Sequence, residues 1–183
     1  MKGIVFTEFL DMVEQQHSLA MVEGIIERAQ PASGGAYTAV GSYPHGEMVA
    51  LVQALSAATG TPVAELLRAF GRHLFHRFAA THSGLLTTSG GALDFLARIE
   101  SVIHREVLRL YPDAQLPRFE VEHREPDRLV LVYRSVRHME VLAEGLIEGC
   151  AEHHNERLSV QREAIAGDPE GAQRFDIRRV RSC

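Results

Sequence analysis

ALDFLARIESVIHREVLRLYPDAQLPRF, residues 92–119, is the stretch that decides the fold. Its apolar residues recur at the spacing of one helix face, which predicts a single long amphipathic helix. Tyr111 and Pro112 are expected to end that helix, because a proline cannot continue it. One histidine, His104, lies within the helix, on a face that is otherwise mostly apolar. This side chain is the first candidate for chemistry.

His104 is open to two interpretations. A histidine on an apolar helix face is often only a packed core residue. Burial among apolar groups, however, disfavours the protonated imidazole, so it lowers the pKa and leaves a neutral ring that can bind a metal. A lone histidine does not predict a zinc site, which needs several protein ligands. It fits the iron of haem, because the porphyrin supplies four of the ligands.

A second motif follows downstream and comprises Tyr133, Ser135 and Arg137. If this segment is extended, alternate residues point the same way. Two hydroxyls and a guanidinium suit carboxylates, because arginine can bind a carboxylate through two parallel hydrogen bonds. The plain alternative is a strand whose polar residues face solvent. Together with His104, the set predicts a clamp for the two propionates of haem.

The composition is that of an ordinary globular protein. The chain has 183 residues, 45% of them apolar and 23% charged, so we expect one domain with its own core. A formal net charge of -5 does not favour nucleic acid or an anionic membrane surface as a partner. Two cysteines predict no disulfide framework and favour a reducing compartment. We see no signal peptide and no apolar run of membrane-spanning length, so we expect a cytoplasmic protein.

The remaining segments predict an α+β fold. Period and turn residues predict helices near 2–15, 19–29, 44–55, 62–78, 92–111 and 139–150, and strands near 118–123, 129–133, 158–165 and 174–180. The last two strands are expected to form a closing hairpin. We expect a single domain with a helical N-terminal lobe over about 1–62 and a C-terminal lobe over about 63–183 that carries a small antiparallel sheet.

Four segments carry a resemblance to a known family. They are MKGIVF at 1–6, IHREVLRLYPDAQLPRF at 103–119, YRSVR at 133–137 and GLIEG at 145–149. In order and spacing they resemble the bacterial haem-nitric oxide/oxygen binding (H-NOX) domains, which are related to the haem domain of soluble guanylate cyclase. The resemblance covers essentially the whole chain. It implies the H-NOX fold, with haem b (iron protoporphyrin IX) buried between the two lobes.

The resemblance also implies roles for particular residues. His104 matches the axial ligand of the haem iron. The residues that match the propionate-binding set are Tyr133, Ser135 and Arg137. Pro117 matches a proline that presses on the macrocycle and distorts it.

The positions that match the distal and peripheral pocket are all apolar here: Val5, Phe9, Leu74, Phe78, Leu142 and Leu146. Oxygen-binding members of the family are similar in having a distal tyrosine supported by other hydrogen-bonding side chains. Leu142 stands at the tyrosine position, with Leu74 and Phe9 at the supporting ones, and none of the three can donate a hydrogen bond. We therefore expect ferrous haem to bind nitric oxide and carbon monoxide and to exclude dioxygen.

The family resemblance implies a sensor and not an enzyme. We expect nitric oxide to release His104 from the iron and the lobes to shift in response. The sequence shows no kinase or cyclase segment, so the signal would pass to a separate partner such as a histidine kinase or a cyclic-di-GMP enzyme. Two alternatives stay open: a haem enzyme of the peroxidase type, which would need a distal acid–base pair, and a haem-free interaction domain.

Cys150 is a candidate for a second metal site. It lies near His153 and His154, and Cys183 is the last residue. Some family members are similar in having a cysteine near this helix that joins C-terminal ligands in a zinc or redox site. The tail supplies no further cysteine before Cys183, so the zinc hypothesis competes with a simpler one. In that interpretation Cys150 packs as a small apolar side chain.

Overall fold

A computed structural model of the chain describes residues 1–81, Gly84 and residues 90–180. Its elements are α1 (Gly3–Gln16), α2 (Leu19–Ala29), α3 (His45–Thr59), α4 (Val63–Thr81), α5 (Gly91–Leu96), a π-helical segment (Ile99–His104), α6 (Arg105–Leu110), β1 (Arg118–Glu125), β2 (Arg128–Arg134), α7 (Glu140–His153), β3 (Leu158–Ala164) and β4 (Gln173–Arg179). The helices before β1 and the single helix α7 between β2 and β3 accompany a four-stranded antiparallel sheet, so the predicted α+β class is confirmed.

The N-terminal helices form because their apolar residues recur at helical spacing, and they bury these residues against α4. The resulting first apolar cluster includes Phe9 of α1, Met48 of α3 and Phe70 of α4, all fully buried. The predicted helices in this part of the chain are confirmed. Within the described residues, no single helix is both long and apolar enough to cross a membrane. The α3 and α4 helices meet that test only as a pair, with a 114° bend between them.

The sheet has the strand order β1-β2-β4-β3. Its buried face forms a second apolar cluster with α5 and α7, and Leu131 of β2 and Phe175 of β4 are fully buried there. Strands β3 and β4 pair as the predicted closing hairpin. Strand β1 lies at the edge and pairs with β2, so that Phe119 stands opposite Tyr133.

Helices α4 and α7 lie in close contact and connect the two clusters. Gly71 of α4 and Gly145 of α7 permit this approach, since a Cβ at Gly71 would lie 2.7 Å from the Gly145 Cα. Leu74 and Leu142, one from each helix, are buried in the first cluster. Leu146 packs against both clusters. The helix pair therefore sets the position of four of the six expected pocket residues, since Phe78 also lies on α4.

The prediction of one long helix over 92–111 is wrong, because α5 ends at Leu96 and a π-helical segment and α6 follow. The backbone tightens at the break: the Arg98 N–H donates to the Phe95 carbonyl, only three residues back. It then widens into the π-helical segment, a form often found at functional sites. Helix α6 ends just before Tyr111, as expected. The apolar pattern missed the break because residues four apart share a face in both helix types.

Candidate functional site

His104 is the last residue of the π-helical segment and is partly buried, with 12% of its side chain exposed. Its Nδ1 lies 3.0 Å from Oε2 of Glu100. Burial lowers the pKa of His104, and the Glu100 carboxylate opposes this less strongly. Within the described part of the chain, Nε2 has no hydrogen-bond partner. The neutral ring therefore offers a lone pair at Nε2, as an axial ligand of iron must.

Aromatic rings connect His104 to the sheet. The Phe119 ring lies 5.8 Å from the imidazole and 5.2 Å from the ring of Tyr133. Pro117 is partly buried and immediately precedes β1, the strand that carries Phe119. The start of β1 thus places the candidate axial ligand, the candidate macrocycle contact and the first residue of the second motif in one neighbourhood.

The prediction that Tyr133, Ser135 and Arg137 lie on one extended strand is wrong, because β2 ends at Arg134 and a turn follows. The turn itself brings the three residues together. Burial raises the pKa of Tyr133 and the adjacent Ser135 hydroxyl opposes this, and the Arg137 backbone N–H donates to Ser135 Oγ at 3.2 Å. Local turn geometry, and not strand alternation, therefore makes the side chains converge.

Among the described residues, the Arg137 guanidinium has no carboxylate partner. It donates to the backbone oxygen and to the side-chain oxygen of Gln115, at 2.6 Å and 3.3 Å. Among the arginines that the structure describes, Arg137 alone is both partly buried and without a carboxylate partner. Burial lowers the pKa of Arg137, whereas Tyr133 raises it. A partly buried cation without a counter-ion is costly, so this position suits an anionic ligand such as a propionate.

The six expected pocket positions lie together in the first apolar cluster: Val5, Phe9, Leu74, Phe78, Leu142 and Leu146. Three of them are buried and three are partly buried. Leu146 also packs against the second cluster, and so do Phe119 and Ile103, the residue before His104. The pocket positions and the histidine side of the site therefore adjoin the same apolar cluster.

The six pocket side chains include no hydrogen-bond donor. Three polar residues adjoin them in sequence: Glu8 next to Phe9, His73 next to Leu74 and Arg77 next to Phe78. The Glu8 carboxylate accepts a hydrogen bond from Nε of Arg77 at 2.7 Å and lies 3.7 Å from Nε2 of His73. The carboxylate is thus bound by a guanidinium.

Three residues of this site escaped the sequence reasoning: Glu100, Gln115 and Phe119. Glu100 had a detectable signal, since it precedes His104 by four residues and side chains at that spacing meet on a helix. The sequence around Phe119 indicates a strand and gives no sign that its ring contacts His104. Gln115 had no signal, because its contact with Arg137 depends on how the loop before β1 folds.

Within the described residues, no group of three or more His, Cys, Asp or Glu side chains could hold a metal ion. Cys150 is fully buried, and its Sγ lies 3.9 Å from the Ala92 carbonyl oxygen. Burial raises the pKa of the Cys150 thiol, which disfavours the thiolate that metals bind. The part of the zinc hypothesis that involves Cys183 lies outside the described residues. Cys150 packs as a small apolar side chain.

Comparison with known proteins places this site in context. A family model described as Haem-NO-binding matches residues 2–162. The unliganded Fe(II) H-NOX protein from K. algicida is 39% identical, with 100% of this chain and 98% of that chain covered and a TM-score of 0.92. The IWP-051-bound H-NOX from Shewanella woodyi, in the Fe(II)CO state, is 36% identical, with 98% and 95% covered and a TM-score of 0.84. The S. oneidensis H-NOX protein in the Fe(II)NO state is 26% identical, with 99% and 100% covered and a TM-score of 0.89.

No curated protein matches the chain. The solved neighbours nonetheless match it over nearly their whole length, so the fold is the H-NOX fold that the resemblance implied. Members of this family are haem-binding gas-sensor domains and not enzymes. A family model over residues 2–162, with the distances and partners at His104 and Arg137, leads to one conclusion: the chain belongs to the Haem-NO-binding (H-NOX) family.

Proposed function

We propose that this chain senses nitric oxide through haem b bound by His104, and that it binds carbon monoxide and excludes dioxygen. The observation that carries the proposal is the His104 ring: Nδ1 is hydrogen-bonded to Glu100, while Nε2 has no hydrogen-bond partner among residues 1–81, 84 and 90–180. A neutral imidazole in that state can serve as a single axial ligand. Bound haem would supply the ferrous iron at which the gas coordinates.

The surroundings of His104 suit the rest of a porphyrin. Arg137 offers a guanidinium that has no carboxylate partner in the part of the chain that the structure describes, and the hydroxyls of Tyr133 and Ser135 adjoin it. We assign these three residues to the propionates, since charge-assisted hydrogen bonds from arginine to carboxylates are strong. Pro117 would contact the macrocycle. The six apolar pocket positions would enclose the other parts of the ring.

The proposed gas selectivity depends on the lack of hydrogen-bond donors at the six pocket positions. Bound dioxygen is polarised and needs a hydrogen-bond donor to be retained, whereas nitric oxide depends on one far less. Leu142, Leu74 and Phe9 are buried, and none of them can donate. These side chains would therefore exclude dioxygen by failing to stabilise it.

The proposed signal is the release of His104. Neither the π-helical segment nor α6 has a fully buried residue, so a shift of residues 99–110 disrupts little packing. We propose that the helical lobe, about 1–62, then moves relative to the remainder, about 63–183. A separate partner such as a histidine kinase or a cyclic-di-GMP enzyme would read the change. The low cysteine content supports a cytoplasmic location.

The absorption spectrum of the purified, reduced protein tests this function. We expect five-coordinate ferrous haem bound by histidine, and loss of the histidine ligand when nitric oxide is added. His104→Gly should remove the histidine-bound species, and added imidazole should restore it. The matched control is the same change at the exposed His17, which should leave the spectrum as in the wild type.

Other outcomes would point to the competing functions. Absence of a Soret band would favour a haem-free interaction domain. A stable dioxygen complex of the reduced protein in air would contradict the proposed selectivity. Peroxide turnover well above that of free haemin would favour an enzyme of the peroxidase type, which the apolar pocket positions do not support.

A further inference from the structure

We infer that Glu100 is a positioning residue for His104: its carboxylate holds the imidazole with the proton on Nδ1 and the lone pair on Nε2, and it ties the ring to strand β1. This inference rests on the proposed function, in which Nε2 binds iron. In this role Glu100 affects how His104 is oriented and how readily it dissociates from the iron.

One carboxylate oxygen of Glu100 accepts hydrogen bonds from two N–H groups. Oε2 lies 3.0 Å from His104 Nδ1 and 3.1 Å from the backbone nitrogen of Phe119. These donors come from two elements, the π-helical segment and the edge strand β1. Two donors on one oxygen restrict the carboxylate although 51% of the Glu100 side chain is exposed. The hydrogen bond to His104 is therefore better defined than an ordinary exposed ion pair.

The carboxylate decides which ring nitrogen carries the proton. A carboxylate only accepts hydrogen bonds, so the neutral imidazole must donate from Nδ1. Nε2 is then deprotonated and available as a ligand. A carboxylate on the second nitrogen also raises the basicity of a metal-binding histidine and fixes its orientation. Glu100 should thus strengthen the bond between His104 Nε2 and the haem iron.

The same carboxylate connects His104 to the sheet. The Phe119 N–H shares the Glu100 oxygen, and the Phe119 ring lies 5.8 Å from the imidazole. Phe119 stands opposite Tyr133 in the β1–β2 register. When His104 leaves the iron, Glu100 remains its link to β1. A purely structural role, in which Glu100 only satisfies an edge-strand N–H, would leave the metal bond unaffected.

Glu100→Ala and Glu100→Gln in the ferrous holoprotein separate these roles. Alanine removes the acceptor, whereas glutamine keeps an accepting oxygen without the charge. We expect the Fe–His stretching frequency, measured by resonance Raman, to fall in the alanine variant and to be intermediate in the glutamine variant. We expect nitric oxide to release His104 about 10-fold faster in the alanine variant. Glu106→Gln is the matched control, since Glu106 lies two residues after His104 and pairs with Arg109 at 3.5 Å.

A second readout follows the proton itself. In the diamagnetic carbon monoxide complex, solvent exchange of the His104 Nδ1 proton should be about 10-fold faster in Glu100→Ala than in the wild type, because the hydrogen bond to the carboxylate is lost. Wild-type values of the stretch, the release rate and the exchange rate in both variants would show that Glu100 only satisfies β1, and the inference would be wrong while the proposed function stands. Should Glu100→Ala unfold, the intermediate values expected of Glu100→Gln decide. An Fe–His stretch that survives His104→Gly would instead overturn the proposed function.

Discussion

Two regions of the domain differ in how tightly they are packed. Helices α4 and α7 pack closely against each other, whereas residues 99–110 bury few side chains. The two helices touch along their backbones, where Gly71 and Gly145 leave no room for a side chain. Ion pairs line the same interface, such as that between Arg72 and Glu148 at 2.6 Å. In contrast, residues 99–110 consist of a π-helical segment and a six-residue helix without a single fully buried residue.

This difference assigns two tasks to two regions. Leu74 and Leu142 belong to the tightly packed pair, so the pocket positions that would meet the gas are fixed. His104 belongs to a segment whose local opening disrupts few buried contacts and costs little free energy. Under the proposed function, the pocket that selects the gas would stay fixed while His104 moves.

The largest expected effect is in amide hydrogen exchange. In the ferrous holoprotein, amides of residues 99–110 should exchange about a thousandfold faster than those at the centres of α4 and α7, a difference of about 4 kcal/mol in opening free energy. Nitric oxide should increase exchange in residues 99–110 further and leave α4 and α7 unchanged. Mass spectrometry of peptides from both regions measures this. Equal protection of the two regions would contradict the comparison.

Gly145→Ala should have the next largest effect. A Cβ at this position would overlap the Arg68 carbonyl and lie 2.9 Å from the Gly71 Cα, so the two helices would have to separate. We expect a loss of about 3 kcal/mol in the free energy of unfolding, measured with urea. Gly24→Ala is the control, because a Cβ at Gly24 of α2 meets nothing within 4 Å. That change should stabilise the helix by about 0.5 kcal/mol.

Secondary structure was easier to predict from the sequence for α4, α7 and the other well-packed elements than for residues 99–110. Helical spacing and strand alternation located α1 to α4, α7 and the sheet, because each buries one continuous apolar face. The break after Leu96 was missed, because its cause lies in backbone hydrogen bonds and not in side-chain pattern. Where few side chains are buried, the apolar pattern in the sequence does not distinguish an α-helix from a π-helical segment.

The candidate site shows the same limit. The residue types at His104 and Arg137 are readable from the sequence, since a lone histidine and an arginine that follows two hydroxyl residues have characteristic chemistry. Their partners were less predictable. Gln115 reaches Arg137 through a loop, and the turn after Arg134 replaced the expected strand. Contacts made across loops depend on tertiary structure, which periodicity does not report.

The smallest expected effect concerns His73, a partly buried histidine within the rigid pair. Burial lowers its pKa, and Arg77 and His76 lower it further, while Glu8 and Asp11 raise it. Above the ordinary value of 6.5 the ring is neutral in both the folded and the unfolded chain. As the pH falls below that value, His73 becomes protonated in the unfolded chain while it is still neutral in the folded chain. Unfolding then becomes more favourable.

His73→Gln tests whether this acid sensitivity arises in the rigid region. Between about pH 7.5 and about pH 5.5, the wild type should lose more free energy of unfolding than the variant, because glutamine has no proton to bind. The effect stays small because a single, partly solvated side chain is involved. His17→Gln, at an exposed position, should keep the wild-type slope. If His73→Gln keeps that slope as well, the loss of stability in acid originates elsewhere, and His104 in the loosely held segment becomes the group to test.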